Sequence, residues 1–361
     1  MILRPTPPRL NQAREIAALV KLAATAAGFE LAGIAPAVDF PDSSHFAEWI
    51  AAGHAGEMKY LESRDRAGNL KRASLQTTFP WARSVIVCAI NYNTAQPYST
   101  EAGDPKRGWI ARYAWSQEDY HDAVLRRLRS VESSLRGPLA GAETRCYVDT
   151  GPVVERIYAK YAGVGWMGKN TCMIHQKLGS WLYLGVILTS LDLQPDTPAP
   201  DRCGSCTRCI DACPTDALIA PYQLDANKCI SYLTIEKRGV IPEKMRDGMG
   251  QQVFGCDICQ DVCPWNRKAP ATAAAEFQPR AGLVNPALLW LAEMAAPEFQ
   301  ERFRGSPVKR ARRSGLRRNA VIAMGNSADP TFGPPLQKLA GDEDPVVAEA
   351  ARWAQKKLKH D

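Results

Sequence analysis

Two stretches hold most of the chemistry legible in the chain. CGSCTRCIDACP, Cys203 to Pro214, spaces four cysteines as C-x2-C-x2-C-x3-C-P, and CDICQDVCP, Cys256 to Pro264, repeats the pattern without its opening cysteine. Thiolates are the ligands of iron-sulfur clusters. In the two-cluster ferredoxin pattern three sulfurs in tight series face one 4Fe-4S cube, while the cysteine before proline reaches to the other. That crossover gives Cys203, Cys206, Cys209 and Cys263 to one cluster, and leaves Cys256, Cys259 and Cys213 one ligand short at the second. Cys229, in NKCISYL, is the remaining cysteine of the region and completes the set. Zinc also takes C-x2-C pairs, but a four-ligand zinc site needs neither three cysteines in series nor two Cys-Pro endings. Cys88, Cys146 and Cys172 lie in apolar or strand contexts and read as structural thiols.

Single electrons from clusters need an acceptor, and CYVDTGPVVERIYAKYAGVGWMGKNT, Cys146 to Thr171, is the most informative place for one. The pattern predicts a strand ending at Asp149, a turn at Thr150 and Gly151, and Pro152 at the first helical position, with Glu155 and Arg156 following on the helix. An acid there suits proton chemistry, and equally a helix cap. Gly163, Gly165 and Gly168 let backbone approach a large ligand, but they follow a helix, which excludes a dinucleotide fingerprint; no P-loop is present.

The elements that must position these groups follow from periodicity. Up to about Ser190 helical and strand periods alternate, which argues for an α/β domain. Ile16, Val20 and Ala24 recur on one helical face. SVIVCAINY (Ser84 to Tyr92), ETRCYVDTG (Glu143 to Gly151) and WLYLGVILTS (Trp181 to Ser190) read as strands. Between the first two, Val124, Leu128, Val131 and Leu135 line a helix with a capping signal at Ser116 and Asp119 and a stop at Gly137-Pro138. The Pro-rich DLQPDTPAPDR (Asp192 to Arg202) reads as a domain boundary, and KAPATAAAEFQPRAG as a second connector. Three regions result: 1–191 α/β, 192–268 ferredoxin-like, and a helical region over 283–361. In the last, Asp329-Pro330 and Asp344-Pro345 each open a helix, and the apolar sets fit stacked HEAT-type pairs or a small helical bundle.

Composition bounds the rest. The chain has 361 residues, 45% hydrophobic and 23% charged, without an apolar run long enough to span a membrane. The start, MILRPTPPRLNQ, carries no secretory signal pattern, so a cytoplasmic setting is expected, where the odd count of 11 cysteines favours metal over disulfides. Net charge is +7, and KRARRSGLRR, Lys309 to Arg318, places six positive charges in ten residues with no acid between them. Such a run is a solvated face or a polyanion site.

YVDTGPVVER, GVGWMGKNT, the offset cluster motifs and CPWN (Cys263 to Asn266) together resemble the epoxyqueuosine reductase family, in order and over almost the whole chain. The resemblance implies a reductive-dehalogenase-like N-terminal domain holding base-off cobalamin beside the clusters. It further implies reduction of epoxyqueuosine to queuosine at the wobble position of tRNA with a GUN anticodon, the last step of that modification, driven by an external low-potential electron donor. It makes Asp149 the proton donor. Cofactor contacts fall on Arg64, Tyr113, Asp149, Val154, Glu155, Arg156, Lys169, Asn170, Ser231 and Asp257. Arg238 falls where the family meets tRNA, and on charge alone tRNA binding would also draw on Lys237 and on Lys309, Arg310, Arg312, Arg313, Arg317 and Arg318 of the basic run. Asp149 could donate near neutral pH only if burial raised its pKa against the helix N-terminus, and burial is expected to win. Asp119-Tyr120-His121 starts the D-x-H-x-x-G motif of base-on corrinoid folds, but no glycine follows at the needed spacing. The competing reading is a corrinoid iron-sulfur reductase of a small molecule. A monomer suffices for either.

Overall fold

The computed structural model describes residues 10–101, 103–138 and 140–359; residues 1–9, which begin the stretch without a signal pattern, lie outside the described residues. The chain forms two compact units, each discontinuous in sequence: residues 1–93, 120–206 and 264–274, and residues 94–119, 207–263 and 275–361. This differs from the three linear regions of the sequence reading. The Pro-rich spacer stays with the α/β unit, residues 94–119 leave it, and the region from 207 to 263 shares one body with the C-terminal helices.

In the first unit the elements are α1 (Leu10–Ala26), β1 (Leu31–Pro36), β2 (Ser84–Asn91), α2 (Tyr120–Ser134), β3 (Thr144–Tyr147), α3 (Glu155–Tyr161) and β4 (Leu182–Thr189). The four strands form one sheet in the order β1-β2-β4-β3, antiparallel at every pairing. Every residue of β2 is buried, which explains its near-continuous run of apolar residues. Val124, Leu128, Val131 and Leu135 of the expected helix are buried, as are Ile16, Val20 and Ala24 of α1. Two boundaries differ from expectation. Helix α2 opens at Tyr120, leaving Ser116 outside it, and β3 ends at Tyr147, two residues before Asp149.

The second unit contains α4 (Ile230–Ile235), β5 (Gln252–Phe254), α5 (Leu288–Glu293), α6 (Arg312–Asn326), α7 (Gly333–Leu339) and α8 (Pro345–Leu358). Residues 94–119 belong here because the short strand Trp109–Ile110 pairs in parallel with β5. The buried Arg112 guanidinium also ties that segment together, donating to the carbonyls of Thr94, Gln96 and Pro97. Asp329 and Asp344 cap their helices as expected, accepting from the N–H groups of Thr331 and Val346.

Helix α6 is the brace of this unit. Arg318, 1% exposed, donates to the carbonyls of Leu233 (2.9 Å), Lys237 (3.0 Å) and Gly239 (2.6 Å). Asn319 donates to the carbonyls of Thr234 and Val253, both at 2.8 Å. Arg317 pairs with Asp342 and donates to the Ala292 carbonyl. The run KRARRSGLRR is therefore not one solvated face. Arg317 and Arg318 are corrected from tRNA contacts to structural donors, because both guanidinium groups lie inside the fold and their N–H groups go to carbonyls and a carboxylate.

Deleting a buried guanidinium leaves three carbonyls without donors, so Arg318→Ala is expected to cost on the order of 3 kcal/mol. The midpoint of denaturant unfolding should fall, while the exposed Arg312→Ala leaves it in place; equal midpoints would show that α6 is not the brace.

Candidate functional site: a carboxyl pair and a set of cluster thiols

The turn between β3 and α3 is held in an unusual conformation. Asp149 has φ +57°, in the left-handed region that side-chain-bearing residues rarely adopt. The next N–H, of Thr150, folds back onto the Val148 carbonyl at 2.6 Å. At Gly151 a Cβ would lie 2.5 Å from the Tyr147 ring, so only glycine lets the turn lie over that ring. Pro152 is not the first helical residue as expected: α3 starts at Glu155, with Val154 at its N-cap.

Two residues opening α2 converge on this turn. The Tyr120 hydroxyl donates to Asp149 Oδ2 at 2.9 Å, and His121 Nε2 lies 3.8 Å from the same oxygen. Tyr120 is fixed by stacking on Tyr183 of β4 (4.6 Å between centroids, 3° between planes), which stacks in turn on Tyr92 at 4.3 Å. Arg156 donates to the carbonyl of Thr171, tying α3 to the GVGWMGKN hairpin.

The sign of the proton chemistry is opposite to the sequence expectation. The neighbouring His121 imidazole is the main cause that holds the Asp149 carboxyl down to about 2, against desolvation and with help from Tyr120 and Arg156. The Asp149 side chain keeps 68% of its surface open, so neighbouring partners outweigh burial. Glu155 moves the other way: burial, then the charge of Asp149, pushes it up to about 8. Two carboxyls pushed apart in this manner define one ionised and one protonated group. Glu155 Oε1 accepts from the backbone N–H of Asp149 at 2.7 Å. Sequence reasoning missed Tyr120 and His121 as partners of Asp149; the pair had registered only as an incomplete base-on motif.

The other residues expected at a cofactor are placed in both units. In the first, Lys169 Nζ donates to the carbonyls of Gly204 (2.6 Å) and Cys206 (3.1 Å), so it fastens the loop carrying Cys203 and Cys206. Asn170 is buried and its Oδ1 accepts from the Cys172 N–H, a turn role. Arg64 is exposed and donates to the Gly68 carbonyl. In the second unit Tyr113 and Ser231 meet at Gly255, where an added Cβ would sit 3.5 Å from Tyr113 Cε1 and 3.7 Å from Ser231 Oγ. An added Cβ would also lie 2.5 Å from Ala111 Cβ, so at φ +69° this glycine allows close packing of its own turn on Ala111. Asp257 is corrected to a structural acceptor: it is 2% exposed, and its Oδ2 takes the Trp109 indole N–H at 2.9 Å and the Arg112 N–H at 2.7 Å.

None of the eleven cysteines forms a disulfide. Within the second unit burial, and then neighbours that include Cys229 and Cys213, raise the Cys256 thiol. Cys213 Sγ also accepts the Ala217 N–H at 3.3 Å, the kind of donor that stabilises a cluster thiolate.

Of the basic residues, Lys309, Arg310 and Arg312 are exposed. Arg310 is bidentate to Glu236, and Arg238 donates to the carbonyls of Arg310 and Ala311. Lys309, Arg312 and Arg313 line a depression of about 310 Å³ with Ala296, Phe299 and Gln300.

Comparison with known proteins gives one family. A model described as 4Fe-4S double cluster binding domain matches residues 202–266, and one described as epoxyqueuosine reductase QueG, DUF1730, matches residues 72–150. The chain is 42% identical to an epoxyqueuosine reductase of Synechocystis sp. over 80% of this chain and 98% of the relative. It is 38% identical to that of Xanthomonas campestris pv. campestris over 94% and 95%. Among solved structures, an epoxyqueuosine reductase with an epoxyqueuosine-modified tRNA-Tyr stem loop superposes with a TM-score of 0.85 at 31% identity, covering 97% of this chain and 91% of the other. A Bacillus subtilis epoxyqueuosine reductase, with an aspartate-bearing catalytic loop swung out of the active site, superposes at 0.84 and 30% identity over the same shares.

The raised Glu155 sets a pH dependence. A carboxyl whose folded pKa is raised binds its proton more tightly in the folded state, so its contribution is fully present below about 4.5 and is lost as pH rises towards about 8. Asp149, being lowered, contributes above about 3.8 and loses this only as pH falls towards about 2, outside that window. Melting temperatures measured at pH 5 and pH 8 are therefore expected to converge in Glu155→Gln relative to the parent protein; an unchanged difference would mean that Glu155 is not the protonated carboxyl.

Proposed function

The chain belongs to the epoxyqueuosine reductase family, and on that premise we propose that Asp149, Tyr120 and His121 form its proton-delivery group in the reduction of epoxyqueuosine to queuosine in tRNA. The observation that carries this reading is the convergence of a phenol and an imidazole on one oxygen of an accessible carboxylate. Converting the epoxide to an alkene with loss of water takes two electrons and two protons, so a reductase needs both an electron path and a proton path.

Two 4Fe-4S clusters would be held by Cys203, Cys206, Cys209 and Cys263 and by Cys213, Cys229, Cys256 and Cys259, and when bound would supply single electrons taken from an external low-potential donor. Their spacing and the double-cluster match over residues 202–266 support this. Cobalamin is the acceptor in this reading, and when bound it supplies the low-potential metal centre that acts on the epoxide. Val154 and Arg156, at the start of α3 beside the carboxyl turn, would hold it in the first unit, and Tyr113 and Ser231 are its expected contacts in the second.

Asp149 is ionised near neutral pH, so it acts as a relay. A proton held by His121 or Tyr120 passes through the carboxylate to the oxygen leaving the substrate carbon. Substrate binding excludes water, raises the carboxyl pKa and favours the transfer.

tRNA binding rests on Lys309, Arg310, Arg312 and Arg313, with Lys237 and Arg238 beside them on the second unit; the depression lined by Lys309 and Arg312 suits a phosphate. The paired packing of α6 and α7 with α8 supports a HEAT-like reading of this region. A cytoplasmic monomer accommodates all of it; no helix among the described residues is long and apolar enough to cross a membrane.

In single-turnover assays with a modified stem loop, Asp149→Asn is expected to lower the rate by about 10²–10⁴ with tRNA affinity intact; undiminished turnover would remove Asp149 from the relay. For Lys309→Ala combined with Arg312→Ala, the slope of log affinity against log salt should fall by about 1 to 2, and an unaltered slope would place the tRNA elsewhere.

A further inference from the structure

We infer that Glu155 is a latch: it holds the Asp149 turn in its reactive position by accepting the Asp149 backbone N–H, and so acts as a positioning residue for the reaction. The inference deepens the proposed role of Asp149 and rests on it.

The geometry singles out this contact. A residue at φ +57° is strained, and it persists only where surrounding groups fix it. Two groups fix Asp149 through its backbone. Glu155 Oε1 takes its N–H at 2.7 Å, and Arg72 Nη2 donates to its carbonyl at 3.4 Å. Tyr120 and His121 hold only the side chain. The Glu155 bond is the shorter of the two backbone restraints, and it comes from the first residue of α3, whose buried Ile157, Tyr158 and Ala159 anchor that helix in the core. One side chain thus couples a rigid element to a strained turn. A latched turn has a natural counterpart: in the Bacillus subtilis relative an aspartate-bearing catalytic loop is found swung out of its active site.

A neutral amide oxygen can accept the same N–H, so Gln keeps the latch. Ala removes it, and Asp, one methylene shorter, does not reach.

The test pairs hydrogen exchange of the cofactor-free protein over residues 148–154 with single turnover of the reconstituted enzyme. Exchange at the Asp149 amide is expected to rise by about tenfold or more in Glu155→Ala and Glu155→Asp and to stay at the parent level in Glu155→Gln, with kcat following the same order and KM for the stem loop unmoved. If Glu155→Ala does not fold, the Gln and Asp variants carry the comparison alone. Equal exchange in Gln and Asp variants overturns the latch, as does a Gln variant as slow as Asp. Faster exchange with turnover intact also overturns it, and Asp149→Asn then tells the two readings apart: inactive Asp149→Asn leaves the relay standing without the latch, whereas active Asp149→Asn removes the relay as well.

Discussion

Two carboxyl groups on one short turn cannot both carry charge at low cost, and the site depends on which of them keeps its proton. Asp149 lies beside a phenol, an imidazole and the Arg156 guanidinium, all of which favour its anion. Glu155 is desolvated and feels the Asp149 charge, and both effects favour its acid. The difference places a negative charge where substrate can reach it and a neutral acceptor underneath. The same asymmetry lets the Glu155 carboxyl approach the Asp149 backbone without a second negative charge beside it. The stack Tyr92-Tyr183-Tyr120 then fixes the phenol from the sheet side, so the position of the Tyr120 hydroxyl is set by core packing.

The second unit solves a different problem, that of holding sulfur ligands still. Its thiols sit on short helices and turns that could not fold alone. Helix α6 supplies the missing order by donating from Arg318 and Asn319 to the carbonyls of α4 and β5, elements adjacent in sequence to Cys229 and Cys256. Such buried donors are stable because each finds an acceptor. A run that looks like a polyanion site is thereby divided: its first half faces solvent and its second half braces the region that holds the cluster cysteines.

Local signals were read well, and long-range ones were not. Cysteine spacing identified the clusters, and the burial of Val124, Leu128 and Val131 follows directly from helical period. The caps at Asp329 and Asp344 were equally legible. The protonation of Asp149 was not, because it depends on Tyr120 and His121, which only the packing of α2 beside the turn brings near. Arg317 and Arg318 failed for a related reason: charge density along a chain says nothing about which side of a helix is covered. Residues 94–119 were assigned to the wrong body because a two-residue parallel pairing at Trp109 leaves no periodic trace. Pro152 misled because a proline that opens a turn and one that opens a helix share the same φ.

The central claim is that, of these two carboxyls, Glu155 holds the proton at neutral pH and Asp149 does not. Infrared difference spectra of the cofactor-free protein near pH 6, comparing the parent with Glu155→Gln and Asp149→Asn, address it directly through the protonated-carboxyl stretch. Buried Asp261, raised to about 7, also contributes to this band, and the account predicts that its intensity falls by one component in Glu155→Gln and is unchanged in Asp149→Asn. A component lost in Asp149→Asn and retained in Glu155→Gln would contradict it.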